Sequence, residues 1–170
     1  MTEPRTLTKL IILYMLDMVE FPLSKAQIFD FILEKEYTNY FTLQEALHQL
    51  EDSGFVSAEQ MHSVTLLTIT DEGRETLRFF QGRISDAIKN DISSYLTDNK
   101  VELHNEVSVT TNYYRVGAGE YVAELTAREK TSELISLRLN VPSEDAAETI
   151  CENWKKQCTD LYSYLLGNLL

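Results

Sequence analysis

The sequence predicts an α+β fold. Helices enclosing one β-hairpin fill its N-terminal half, and one long helix covers a three-stranded antiparallel meander in its C-terminal half. Three observations predict this. Apolar residues recur at helical spacing through most of residues 6–96. Alternation with period two takes over in three stretches between residues 107 and 141. The helical period then returns from about residue 144 to 166. The expected organisation is a first domain at residues 1–81, a connecting or dimerisation helix at 82–98, and a small α+β domain at 99–170.

The first helix is expected over residues 6–19, where Leu7, Leu10, Ile11, Tyr14, Met15 and Met18 share a face. Phe21-Pro22 ends it. Ser24-Lys25-Ala26-Gln27 is a capping-box pattern, in which a serine oxygen and a glutamine side chain satisfy first-turn amides. It opens a second helix that reaches about Lys35 and buries Ile28, Phe31 and Ile32. Tyr37-Thr38-Asn39-Tyr40-Phe41 reads as a short aromatic connector. A second capping box, Thr42-Leu43-Gln44-Glu45, opens the third helix, with Leu43, Ala46, Leu47 and Leu50 on one face. Gly54 stands where a left-handed helix end is needed.

Residues 55–59 and 63–70 then pair as a hairpin around Gln60-Met61-His62. Thr70-Asp71-Glu72-Gly73 starts the next helix. Leu77, Phe80, Ile84, Ala87, Ile88, Ile92 and Tyr95 keep its period, so one helix over residues 71–96, kinked at Gly82, is expected. The face around Ile84, Ile88, Ile92 and Tyr95 is assigned either to packing between domains or to a homodimer contact. Thr97-Asp98-Asn99-Lys100 is a polar break. After it, Val107, Val109, Thr111 and Tyr113 alternate, then Tyr121, Ala123, Leu125 and Ala127, then Ile135, Leu137, Leu139 and Val141. Turn residues Gly117-Ala118-Gly119 and Glu129-Lys130-Thr131-Ser132 separate them. Pro142-Ser143 caps the last helix, whose stripe of Ala147, Ile150, Cys151, Trp154, Cys158, Leu161, Tyr162 and Leu165 can cover the sheet.

Three helices, a hairpin wing and a returning helix match the winged-helix pattern. The joint of hydrophobic strand and Thr70-Asp71-Glu72-Gly73-Arg74 resembles that of the bacterial MarR and PadR regulator families, over roughly residues 6–80. The pattern is also similar to bacterial families that join a winged helix to a small α/β domain. The resemblance implies a N-terminal winged helix-turn-helix and a homodimeric, DNA-binding transcription regulator. DNA contacts would then come from Lys25, Thr42, Gln44, His48, Gln49 and His62, with the third helix in the major groove and the wing on the backbone. Gln44 and Gln49 are suited to adenine edges, and Thr42 to a phosphate.

Charge argues the other way. Residues 36–73 hold no Lys or Arg against seven acids, and the whole chain carries −12. Duplex DNA is bound largely by neutralising its phosphates, so an acidic face must first overcome repulsion. The alternative partner is therefore a basic protein, or the chain's own second subunit, meeting that face.

Several chemistries have no signature. Gly117-Ala118-Gly119 lacks the strand-to-helix context of a dinucleotide fingerprint, and no serine stands in a nucleophile elbow. His48, His62 and His104 fall in three separate elements, so neither a metal nor a catalytic role is assigned. No cofactor is expected, and the protein is read as a non-enzyme. Tyr113, Tyr121 and Trp154 are the candidates for a small-ligand pocket. Cys151 and Cys158 lie about 10 Å apart along one helix, beyond disulfide reach, and read as reduced thiols. No signal pattern and no membrane-length apolar run is present, so a cytoplasmic location and no membrane contact are expected.

Overall fold

Capping side chains set most of the element ends. In the computed structural model, which describes residues 3–61, 64–129 and 132–170, the first helix α1 runs Pro4–Asp17 with proline in its first turn. Its buried face is wide and includes Leu10, Ile11, Ile12, Met15 and Leu16. Met18, expected on that face, lies beyond the helix and is exposed.

A two-residue strand, β1 (Leu23–Ser24), precedes α2 (Lys25–Glu34). Ser24 belongs to both elements in effect: it pairs with Leu66 and caps α2. The capping box is complete, since Gln27 N donates to Ser24 Oγ at 3.0 Å and Ser24 N donates to Gln27 Oε1 at 2.9 Å. The third helix, α3, runs Tyr40–Asp52 and starts two residues before the expected cap. Asn39, not Thr42, is the N-cap, its Oδ1 accepting from Thr42 N at 2.9 Å. Tyr40 and Phe41 are therefore helical and not a connector. Leu43, Ala46, Leu47 and Leu50 are buried as the spacing predicts.

The helix ends at Gly54, whose φ is +74°, in the left-handed region that glycine adopts without a Cβ clash. Gly54 N donates to Glu51 O and Phe55 N to Leu50 O, the paired bonds of a Schellman end. Strands β2 (Val56–Met61) and β3 (Val64–Ile69) follow as an antiparallel hairpin, with His62 and Ser63 outside the described residues. The sheet order is β1-β3-β2, so the expected two-stranded hairpin has gained a third strand. Helix α4 (Asp71–Phe80) begins at Thr70, as the sequence indicates. Helix α1 packs on α3, α4 and β3, and Ile12, Met15, Ile28, Ile32, Ala46 and Leu67 are fully buried.

The single helix expected over residues 71–96 is broken. After α4 come a 3-10 turn at Gln81–Arg83, an extended Ile84, and then α5, Asp86–Ser108. Ser85 restarts the helix, its Oγ accepting from Ile88 N at 3.3 Å. The polar break at Thr97-Asp98-Asn99-Lys100 does not stop α5; Asn99 stays within the helix, its Nδ2 donating to Tyr95 O at 2.8 Å. Leu96, Leu103 and Val107 are buried one or two turns apart, which keeps the helix going. Val107 is thus helical, not the start of a strand. Accordingly the chain divides into compact units Met1–His104 and Asn105–Leu170, later than the boundary read at residue 99.

In the second unit β4 (Val109–Gly117), β5 (Glu120–Glu129) and β6 (Ser132–Val141) form the expected antiparallel meander, in the order β4-β5-β6. Helix α6 (Glu144–Leu169) is capped by Ser143, whose side chain accepts from Ala146 N at 3.2 Å. It packs on the face bearing Ala123 and Leu125, with Cys151, Trp154 and Cys158 in the core between them. Among the described residues the fold is α+β, with six α-helices and two small three-stranded antiparallel sheets.

The joint before α4 is the test of this architecture. Gly73 lies so close to the Phe55 carbonyl oxygen that an added Cβ would collide with backbone that cannot move aside. Gly73→Ala is expected to cost about 2–3 kcal/mol. Thr70→Ala should cost about 1–2 kcal/mol by losing the cap and the 2.7 Å bond to Gly54 O. Urea unfolding followed by circular dichroism measures both, and an unchanged midpoint in either variant refutes this account of the joint.

Candidate functional site

The outward side of α3 is where the sequence places most candidate contacts. Glu45, His48, Gln49 and Asp52 share the outer rows by helical spacing. They are largely tied to one another. Gln49 Nε2 donates to Glu45 Oε1 at 3.3 Å, and His48 Nε2 lies 3.3 Å from Asp52 Oδ2. Arg5 of α1 reaches across to Glu45 at 3.1 Å, so a cation beside α3 is already paired with one of its acids. Gln44 is half-buried, and its Oε1 is enclosed without a hydrogen-bond partner. Thr42 is half-buried in the first turn, with its amide held by Asn39.

Lys25 stands at the head of α2, half-buried, with Nζ 5.2 Å from the centre of the Phe29 ring. Phe29 meets Tyr40 edge-on at 5.7 Å, and Tyr40 meets Phe41 edge-on at 6.0 Å. Phe41 is 83 % exposed and Tyr40 51 %. The structure thus brings Lys25 to an aromatic head on α3, ahead of an acidic body. Sequence reasoning missed Tyr40 and Phe41. The signal was Asn39, which caps as well as threonine does and stands three residues before Thr42. His62 lies outside the described residues.

The face of α5 assigned to a homodimer is largely inside the chain's own first unit. Ile84 and Ile92 are buried, Ile88 half-buried. The Tyr95 ring lies 4.5 Å from that of Phe31, and Tyr37 donates to Asp91 Oδ2 at 2.6 Å. Gln27 Nε2 donates to Leu103 O at 3.2 Å, and the rings of Phe21 and His104 meet edge-on at 4.9 Å. These pairings run in opposite chain directions, so α5 lies antiparallel along α2. A second copy would have to use other residues.

The three candidates for a ligand pocket do not converge. Tyr113 donates to Glu148 Oε1 at 2.9 Å and is held at the head of α6. Tyr121 is half-buried on β5, opposite Arg115 and Val141. Trp154 is in the core, donating from Nε1 to Thr126 O at 3.1 Å. Of the three, Trp154 alone lines a cleft of about 220 Å³ on the other side of α6, toward β6. A second cleft, of about 170 Å³, opens in the first unit between Leu10, Leu13, Leu50, Phe55 and Phe80, with Lys9 and Arg83 at its rim.

The cysteines are both free and buried, and burial pushes the Cys151 thiol up. Among the described residues no group of three His, Cys, Asp or Glu is placed to hold a metal, and no helix is long and apolar enough to cross a membrane.

A family model described as a domain of unknown function (DUF4364) matches residues 8–169, and the chain belongs to this family. No curated protein and no solved structure matches it.

Tyr113 gives the site a titratable marker. Its phenol is pushed up to about 12, first by the hydrogen bond to Glu148, then by partial burial and by the charges of Glu148 and Glu144. A raised folded-state value means that this contact stabilises below the unfolded value of about 10 and is lost as pH rises toward 12. The difference absorbance between the wild type and Tyr113→Phe should therefore show phenolate formation near pH 12. Glu148→Gln should move it down toward 10; a Tyr113 that ionises near pH 10 in the wild type refutes the assigned contact.

Proposed function

We propose that this DUF4364 chain is a regulatory recognition protein in which residues 4–83 form a winged helix, and that it carries out no catalytic step. The support is topological. The order α1, β1, α2, α3, β2, β3, α4, with strands side by side as β1-β3-β2, is that of a helix-turn-helix followed by a wing. This is the arrangement implied by the resemblance to MarR- and PadR-type regulators. In this reading α3 is the recognition helix and β2–β3 the wing.

The partner that α3 fits best is a basic protein surface. One observation carries this: residues 36–73 hold seven acids and no Lys or Arg, and the nearby Arg5 is already paired with Glu45. A duplex presents dense negative charge, and each phosphate needs a cation that this face lacks. A protein surface bearing Lys or Arg beside apolar side chains finds both halves of its complement. Glu45, Glu51 and Asp52 supply charge, while Tyr40 and Phe41 supply the exposed aromatic anchors common at protein contacts.

Duplex DNA is the second reading, favoured by Lys25. It stands at the first residue of α2 with no carboxylate against it among the described residues, where a phosphate beside α3 would lie. Gln49 would then read a base, whereas the enclosed amide oxygen of Gln44 takes that residue out of the reading set.

Electrophoretic retardation of genomic fragments at low salt, about 50 mM, separates the two. The protein-partner reading expects no fragment retarded at micromolar protein. It further expects the triple variant Glu45→Lys, Glu51→Lys, Asp52→Lys to bind DNA without sequence preference, since residues 36–73 then hold three cations against four acids and most of the repulsion is removed. Sequence-selective retardation by the wild type, abolished by Lys25→Ala and Gln49→Ala, overturns it in favour of DNA.

A further inference from the structure

In the second unit an apolar seam outruns the sheet that covers it. On α6 the buried residues Ala147, Cys151, Trp154 and Cys158 are spaced four, three and four apart, the heptad spacing of a helix face held against one partner. Leu161 and Leu165 continue that spacing beyond the last buried residue. There the cover thins: Leu165 is half-buried, Leu161 is 39 % exposed, and beside them Tyr164 is 65 % and Leu169 79 % exposed. Beside this tail, α6 leaves the edge strand β6 partly open. The cleft of about 220 Å³ between them is lined by Leu125, Leu137, Leu139, Ile150, Trp154 and Leu161. Leu161 belongs to both features, so the cleft and the helix tail form one continuous apolar surface.

We infer that this surface is covered by a second copy of the chain. The two copies meet about a two-fold axis, each α6 tail lying along the cleft and β6 edge of the other. A two-fold contact needs a single patch that holds both a projection and a recess to receive it. This patch has both: a helical tail of residues 159–169, roughly 16 Å long at 1.5 Å per residue, and an apolar cleft adjoining it.

Charge selects a second copy over another partner. Two chains of −12 repel across most of their surfaces. Residues 159–170 carry only Asp160, and β6 carries one acid, Glu133, and one base, Arg138, which is paired with Glu124 of β5. The patch is therefore a nearly neutral window in an acidic surface. A charged partner would find nothing there to pair with, whereas a second copy meets its own neutral apolar surface. The Ile84 and Ile92 face on which the sequence suggests dimerisation is already buried, so the contact moves from α5 to α6.

The test uses the full chain. Light scattering after size exclusion should give twice 19.6 kDa at micromolar concentration. Leu139→Glu and Leu161→Glu, both at positions about 40 % exposed, should each return the monomer mass with an unchanged circular dichroism spectrum. Val101→Glu, at a 75 % exposed position on α5, should leave the dimer intact. A wild-type monomer, a dimer that survives both leucine substitutions, or one lost with Val101→Glu overturns the proposal. The docking mode is read separately by mixing a Leu139→Cys chain with a Leu165→Cys chain. A short bis-maleimide should join unlike chains in preference to like ones, because the native thiols are buried; preferential joining of like chains refutes the tail-on-cleft arrangement.

Discussion

The first unit hangs on one backbone contact, the approach of Gly73 to the carbonyl of Phe55. Four elements meet there. Phe55 N accepts its place from the Schellman end of α3 by donating to Leu50 O, and Phe55 O receives Thr70 N at 3.0 Å. Thr70 Oγ1 donates to Gly54 O and accepts from Gly73 N, closing the ring of bonds. The end of α3, the start of β2, the end of β3 and the start of α4 are thereby fixed to each other within a few residues. Arg74, one residue on, extends the clamp to α1 through Asp17 at 3.2 Å. Such a joint tolerates no side chain at Gly73, and it determines the angle at which α3 and the β2–β3 hairpin are presented together.

The antiparallel run of α5 along α2 is the second constraint, and it changes what the helix is for. A long amphipathic helix after a small helical domain invites a dimer reading, because its apolar stripe needs a partner. Here the partner is α2, through the ring pair Phe31–Tyr95, the bond from Tyr37 to Asp91, and the bond from Gln27 to the Leu103 carbonyl. Gln27 serves twice, closing the capping box of α2 with its Oε1 and reaching α5 with its Nε2. Period alone cannot distinguish a stripe that meets another chain from one that meets its own.

Where the sequence was legible, a single residue type had few alternatives. Gly54, Thr70 and the Ser24–Gln27 box each mark a helix end by local chemistry, and each stands where it was read. The alternating stretches of the meander hold as well, the first of them from Val109 and not Val107, because one face of a sheet over a helix forces period two. The misses have a common cause. The strand β1 is two residues long and exists by pairing with β3, which no local pattern announces. Thr97-Asp98-Asn99-Lys100 looks like a break, but Asn99 bonds back to Tyr95 and the buried Leu96 and Leu103 hold the helix through it. The charge of the α3 face was readable by counting. Its aromatic head was not, because Asn39 and Thr42 offered two caps in succession and only the fold selects between them.

That selection bears on the proposed partner. Had Thr42 capped the helix, Tyr40 and Phe41 would have lain in the connector. The threonine hydroxyl would then have held one amide of the first turn, with no aromatic ring inside that turn. With Asn39 as the cap, one first-turn amide is likewise held by a side chain, and two aromatic rings occupy the approach. The favourable end of the helix dipole is thus partly covered, while Glu45, Glu51 and Asp52 line the body behind it. An anion approaching α3 meets exposed rings at its head and carboxylates along its body. A cationic and partly apolar surface gains from both: the carboxylates are present under either cap, and the three-residue shift of the cap from Thr42 to Asn39 adds the rings.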